Sequence, residues 1–434
     1  MRSNVIVRLK YFLCFLNTCI LFSSCYRQFH YAWVTPQQII FDSSLTKKYG
    51  ASPCLDFHNY IPDTLHPKWQ PPRYVRMNMH FMRNSDGSGT FPSEKEAIDF
   101  SQNLMWSVYG KLANNKQMFL PAGNNTPALH TGFEAVIAPD TSVRDDIGIY
   151  FHDHDSSAVL ITGGKYRNVE SSYAYNRFGV MKGSVINVFF YENNPDSLNS
   201  KTFHLSGDGI GAGNWMKMLG VYQTMMVKQV INGDTILRGP WMFAGLFDHE
   251  LGHCLGLSHT WNSNDGCDDT PTNPNCWGCS NECSSCSNNV MDYNAYQEAW
   301  TPCQLGKIHL NFSNPKSTIR NYLKPEHCEY HPDWRITIPA NDTVIWSGFK
   351  DLWGDVVISE NAVLVLRCDV SLPNGAKVTM KKGATLICAG GTFYNSCGEF
   401  WQGIEVPEGR WSFVKIICAP GCAPRDMWFG VKRN

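Results

Sequence analysis

Charge is scarce in this sequence. Asp, Glu, Lys and Arg together make up 17% of the 434 residues, and the formal net charge is -1. An average soluble domain carries roughly 25% charged residues. The chain therefore lacks the field that would favour nucleic acid or an acidic membrane surface. No basic stripe interleaved with aromatics runs through it, which excludes nucleic acid as a partner. After the first two dozen residues there is also no apolar run of the roughly 20 residues that a membrane-spanning helix needs. What is present is apolar bulk: 43% hydrophobic and 13% aromatic residues can bury a sizeable core. The length exceeds one ordinary core and suits two or three domains.

The start has the layout of a secretory leader. Arg2, Arg8 and Lys10 form a positive region, Tyr11 to Phe22 a short apolar run, and Ser23-Ser24 a small-residue site. Leu21-Phe22-Ser23-Ser24-Cys25 also resembles a relaxed bacterial lipobox, in which the cysteine becomes a lipidated first residue. Ordinary cleavage near Ser24 is the alternative. The reading is an exported protein, extracellular or at the cell surface, that touches a membrane only through such an anchor.

Cysteine usage agrees with export. Seventeen cysteines are present, and a chain that leaves the cytosol oxidises most of them. The dense group is Cys267, Cys276, Cys279, Cys283, Cys286 and Cys303. Its Cys-x-x-Cys pairs could be a four-thiolate zinc site, but an oxidising compartment favours disulfides.

Residues 25–71 read as an N-terminal extension that could serve as a prosegment. From Tyr74, Val75, Met77, Met79 and Phe81 alternate with Arg76, Asn78 and His80, which predicts a strand. Ser93 and Glu96 then give a capping-box spacing. Ile98, Ser101, Leu104, Met105, Val108 and Leu112 follow at helical intervals. Further strands are expected at Ile147–Phe151, Val185–Tyr191 and Met218–Gln223. A second, largely apolar helix is expected over Pro240–Leu255, with Pro240 suited to its first turn. This order gives an α/β (α+β) domain over 72–335, with a mixed sheet backed by helices.

Composition shifts near residue 335 to Val, Leu, Gly and Thr. Ile358-Ser359-Glu360-Asn361-Ala362-Val363-Leu364 aligns with Met380-Lys381-Lys382-Gly383-Ala384-Thr385-Leu386 at an offset of 22, and Phe400 to Val406 starts another copy. Such a period predicts a small all-β domain of β-solenoid rungs over 336–434. A β-sandwich with chance similarity is the alternative. The end of the chain reads as a basic tail containing Cys and Pro.

The chemistry is concentrated in His249-Glu250-Leu251-Gly252-His253-Cys254-Leu255-Gly256-Leu257-Ser258-His259. His249 and His253, four apart, share one helix face. Gly256 permits the turn that ends the helix, so His259 can swing back as a third ligand. Three imidazoles leave an open position on zinc, the mark of a catalytic site. Glu250, beside His249, is the candidate general base.

These residues resemble the metzincin metallopeptidases. Asn288-Asn289-Val290-Met291-Asp292-Tyr293 is similar to their methionine turn. Together with His259-Thr260-Trp261 and Cys267-Asp268-Asp269-Thr270-Pro271, it looks like the pappalysin and cytophagalysin group. The likeness covers roughly residues 72–330 and is loose before 240. The Cys276–Cys286 loop is richer in cysteine than that group leads one to expect. The resemblance implies zinc on His249, His253 and His259, with Glu250 as base. It also implies Met291 as a floor beneath the ligands and Tyr293 as a donor to the developing oxyanion. Asp265, Asp268, Asp269 and Thr270 offer hard oxygens where such proteins carry calcium, so Ca2+ is a second expected ion, with turn chemistry as its alternative.

The expected activity is a zinc-dependent endopeptidase acting on proteins or peptides. Substrate would lie along a sheet edge near Met218–Gln223. The competing readings are a surface adhesion protein with a protease-like module, and a zinc hydrolase of another kind. Cys54 is either a thiolate plug for the metal or one half of a disulfide, for example with Cys328. His152 and His154 are either a second metal pair or a solvated strand end.

Overall fold

The computed structural model describes residues 31–119, 123–160, 172–199, 201, 208–226, 229–231, 234–236, 238–261, 265–272, 287–294, 296–407 and 413–428. The leader and lipobox, and Cys276, Cys279, Cys283 and Cys286, lie outside these residues.

Two short strands come first, β1 (Tyr31–Trp33) and β2 (Ile40–Phe41). They are followed by β3 (Arg73–Arg83), helix α1 (Glu94–Ala113), β4 (Phe133–Ile137), β5 (Ile149–Asp153), β6 (Ile186–Tyr191), β7 (Asp208–Ala212) and β8 (Trp215–Leu219). β3 begins one residue before its apolar alternation does. Its Val75, Met77, Met79 and Phe81 enter the main core. Asn78 and His80 on the other face are buried as well, so the sheet is covered on both sides. Ser93 caps α1 by accepting the Glu96 N–H at 3.2 Å.

β3 is flanked in parallel by β4, β5 and β6; β6 carries parallel β8, and β8 carries antiparallel β7. This corrects the expected sheet edge. Met218 and Leu219 belong to the interior strand β8, and Val221–Met226 is helical. The edge is β7, whose Asp-Gly-Ile-Gly-Ala sequence has no apolar alternation to reveal it.

A hairpin, β9 (Gln229–Ile231) with β10 (Asp234–Ile236), precedes a single 3-10 turn at Pro240–Phe243 and helix α2 (Ala244–Cys254). Helix α3 (Pro302–Ser313) opens with a capping box between Thr301 and Gln304. α1, α2 and α3 supply Leu104, Val108, Phe247, Leu251, Leu305 and Ile308 to one core beneath the sheet.

From Ile336 onward the chain runs in short strands stacked in parallel ladders. Ile336–Ile338, Val356–Ile358, Lys377–Met380 and Gly403–Pro407 form one ladder. Thr343–Trp346, Val363–Leu366, Thr385–Cys388 and Lys415–Cys418 form the second, and Lys350–Asp351, Val370–Ser371 and Phe393–Tyr394 the third. Ile358 pairs with Met380 and Leu364 with Leu386, the 22-residue offset of the sequence. The end of the chain is less of a tail than expected, since Lys415–Cys418 extends the second ladder.

The N-terminal strands close the far end of these ladders. β1 pairs antiparallel with Gly403–Pro407, and β2 pairs parallel with Lys415–Cys418. Cys54 is disulfide-bonded to Cys368 rather than to Cys328, and Cys328 pairs with Cys397. A thiolate plug from Cys54 is thereby ruled out. The ladder strands bring residue 368, remote in sequence, next to it.

A buried ion cluster joins the ladders to the first sheet. Asp351, 3% exposed, takes Arg320 in a two-pronged contact at 2.5 and 2.8 Å, and Arg73 from β3 lies 3.2 Å away. Burial opposes ionisation of Asp351. Arg320, His327 and Arg73 more than offset it and hold the carboxyl well below the usual carboxylate range. No helix among the described residues is long and apolar enough to cross a membrane.

Candidate metal centre

α2 places His249 and His253 one turn apart. The helix ends where Gly256 adopts φ +96°, a conformation that favours glycine. Its last turn is closed by Leu257 N–H donating to Gly252 O at 2.9 Å. The chain then folds back and brings His259 to the other two. His259 Nε2 lies 3.2 Å from His249 Nε2 and 3.0 Å from His253 Nε2. An ion bound tetrahedrally at about 2.0–2.1 Å separates its ligand nitrogens by roughly 3.3 Å. The three imidazoles therefore fit one zinc ion.

Their remaining nitrogens fix the tautomer. His249 Nδ1 donates to Val290 O at 2.7 Å, and His253 Nδ1 to Leu257 O at 2.9 Å, which leaves both Nε2 lone pairs facing inward. Burial and the neighbouring rings push His249 down to about 3 and His259 to about 4, and burial lowers His253. All three are neutral near pH 7, the state a metal requires.

Met291 is fully buried under this triad. A Cβ on Gly252 would stand 2.3 Å from its sulfur, so a bare glycine face lets the turn approach the helix. The turn is held by polar groups on either side of the methionine. Asn289 and Gln304 exchange amide hydrogen bonds at 2.9 Å each. Asn289 Oδ1 also accepts the Met291 N–H, and Asn294 accepts from Tyr296 and Gln297. Short polar residues flanking a methionine were the available signal, because Asn side chains substitute for backbone in tight turns.

Tyr293 stands with its ring 4.8 Å from His259 and 5.7 Å from His249. Trp261 packs on both His259 and Tyr293. Glu250 is 4% exposed and lies under β7. A Cβ on Gly209 would fall 2.5 Å from Glu250 Oε1, and one on Gly211 2.3 Å from Glu250 O. Asp248, two residues earlier, is wholly buried with no hydrogen-bond partner for either oxygen among the described residues. Burial raises it well above the usual carboxylate range, against the pull of Lys111.

The remaining sequence candidates separate from this centre. Asp265 accepts from Thr270 Oγ1 and Cys267 N, and Asp269 accepts from Thr301 Oγ1 and Cys303 N at the start of α3. Together with the Cys267–Cys303 disulfide, these bonds tie the loop to the start of α3. Asp268 is exposed beside them. His152 is not a solvated strand end: its Nε2 meets buried His80 Nδ1 at 2.8 Å, and burial lowers it to about 4. His154 Nδ1 lies 3.0 Å from the hydroxyls of Ser156 and Ser157.

No family model and no curated protein matches the chain. Among solved structures, it is similar to mirolysin in complex with compound 9, at 16% identity and a TM-score of 0.38, over 58% of this chain and 96% of that one. It is also similar to mature mirolysin of Tannerella forsythia in complex with a cleaved peptide, at 15% identity and a TM-score of 0.39, over 58% and 95%.

Proposed function

We propose that this chain is a zinc-dependent endopeptidase of metzincin, pappalysin-like type, secreted or anchored at the cell surface, with a C-terminal β-solenoid. The observation that carries the reading is the convergence of three neutral imidazoles, with His259 at 3.0 and 3.2 Å from two that share a helix with Glu250. His249, His253 and His259 hold the metal. Zinc bound there supplies a Lewis acid that acidifies water and polarises a peptide carbonyl. Glu250 takes the proton of the attacking water and passes it to the departing amine. Its burial beneath β7 shields that proton from bulk solvent. Tyr293 donates its phenol to the oxygen that gains charge. The substrate lies extended along β7, the last strand in the order of the described sheet, by the main-chain pairing through which peptides add to a sheet edge. Calcium in the Asp265–Thr270 loop is not part of this reading. The three disulfides among the described residues suit an oxidising compartment.

Purified protein is expected to contain about one zinc per chain and to cleave unfolded casein. Removing zinc with a chelator should abolish cleavage, and adding zinc back should restore it. Cleavage that survives a verified loss of metal would sink the proposal. A metal-loaded protein that cleaves nothing would favour a binding module.

Gly209→Ala tests how Glu250 is aimed. The added methyl meets the mobile end of the Glu250 side chain, so the carboxylate must shift while the fold stays nearly intact. A displacement near 1 Å can cost about 100-fold in rate. We expect kcat to fall roughly 10- to 100-fold with zinc content unchanged. Unaltered kcat would show that β7 does not set the position of Glu250.

A further inference from the structure

The three imidazoles of the metal centre are not held alike. His249 Nδ1 donates to Val290 O at 2.7 Å and His253 Nδ1 to Leu257 O at 2.9 Å. His259 has no such bond to a carbonyl among the described residues, and its contacts with the other two histidines use Nε2. Aromatic rings bound it instead. Tyr293 meets it edge-on, with centroids 4.8 Å apart and planes at 70°, and Trp261 lies 5.9 Å away at 34°. Trp261 reaches Tyr293 as well, at 5.2 Å and 37°. The three centroids form a closed triangle, each side within the roughly 4.5–7 Å over which aromatic rings attract.

Two short segments carry this triangle, and backbone bonds fix them to each other. Thr260 N–H donates to Met291 O at 3.2 Å, which ties the residues after the third histidine to the methionine turn. Tyr293 N–H donates to Asp292 Oδ1 at 2.7 Å, and the other oxygen of buried Asp292 accepts the Ser287 hydroxyl at 2.5 Å. These bonds place the backbone at residue 293. The ring beyond it is half-buried and turns about two side-chain bonds, so its neighbours decide where it stands. Trp261 is half-buried too, and its indole N–H has no hydrogen-bond partner among the described residues. What Trp261 contributes there is the bulk and face of its ring.

We propose that Trp261 is a positioning residue for the peptidase reaction. It holds the Tyr293 ring against His259, so that the phenol already stands where the oxyanion forms. A donor placed in advance costs no reorganisation at the moment of reaction. Without the indole, His259 alone flanks the tyrosine on this side and the ring tilts away. The proposal deepens the reading of the metal centre given above and rests on it.

The test pairs kinetics with a readout that needs no activity. On fluorescently labelled casein, Trp261→Leu should lower kcat roughly 10- to 100-fold, with KM and zinc content unchanged. Trp261→Phe keeps a ring and should recover most of the loss. Tyr293→Phe alone should cost roughly 100-fold. Adding Trp261→Leu to Tyr293→Phe should then cost almost nothing more, because the tryptophan acts through the phenol. Losses that multiply in the double variant would overturn the proposal. For the second readout the tyrosines are replaced by 3-fluorotyrosine, and the fluorine resonance absent from Tyr293→Phe belongs to Tyr293. Trp261→Leu should shift and broaden that resonance; an unchanged position and width would also overturn the proposal. A zinc-loaded wild type that cleaves nothing would sink the peptidase reading and the kinetic part with it. A resonance that still responds to Trp261→Leu would then show that the tryptophan orders Tyr293 all the same. Should Trp261→Leu not fold, Trp261→Met takes its place in both measurements.

Discussion

Glu250→Gln is expected to keep its zinc and lose hydrolysis by at least about 1,000-fold, within the range for removing a general base. Gln has the shape of Glu but cannot take a proton from water. The three imidazoles do not depend on it, since His249 and His253 are oriented by the carbonyls of Val290 and Leu257. Metal content therefore separates the outcomes. Zinc retained with activity lost assigns the proton transfer to Glu250. Zinc lost together with activity would give Glu250 a structural part under β7. Full activity in the mutant would mean that another group is the base, and the proposed mechanism would fall. The paired measurements are zinc by atomic absorption and casein cleavage over time.

Asp351→Asn should destabilise the protein by about 3–5 kcal/mol, the cost of leaving a buried charge uncompensated. Asp351 is 3% exposed and faces two guanidinium groups, Arg320 at 2.5 and 2.8 Å and Arg73 at 3.2 Å. Asn keeps the shape and removes the charge, so both arginines would remain buried without an anion. The pH dependence has a definite sign. The folded carboxyl is held below its usual range, so its contribution is complete above the unfolded value near 3.9. It is lost only as pH falls through the lower folded value. Chemical denaturation at pH 7 should show the full difference between wild type and mutant, and mildly acidic buffer down to about pH 5 should not diminish it. A change below about 1 kcal/mol would mean that water reaches the cluster and screens it.

Much of the centre was legible because its geometry is local. His249, His253, Gly256 and His259 lie within eleven residues, and helix periodicity plus one glycine turn determines how they meet. The ladders were legible for a similar reason: a 22-residue offset becomes a strand register. What escaped depended on contacts remote in sequence. β7 was missed because its glycines suit close approach to Glu250 rather than an apolar alternation. The Cys54 partner was misjudged because only the stacked ladders bring residue 368 near. His152 looked like a surface histidine because the second cover on the sheet, which buries His80, has no signature along the strand itself.

The placement of β1 and β2 has a consequence for biogenesis. Ile40 lies against Ile417 and Tyr31 against Pro407, so β1 and β2 pair with strands that leave the ribosome much later. At about 5–20 residues per second, these edges wait tens of seconds for their partners. Until then the Gly403–Pro407 and Lys415–Cys418 positions do not exist, and Ile40 and Phe41 are bare apolar edge residues open to mispairing. This seam thus forms only after the whole of the intervening chain has been made. A fusion or deletion that holds residues 31–41 away from the final ladder strands should promote aggregation even when the metal centre itself has formed.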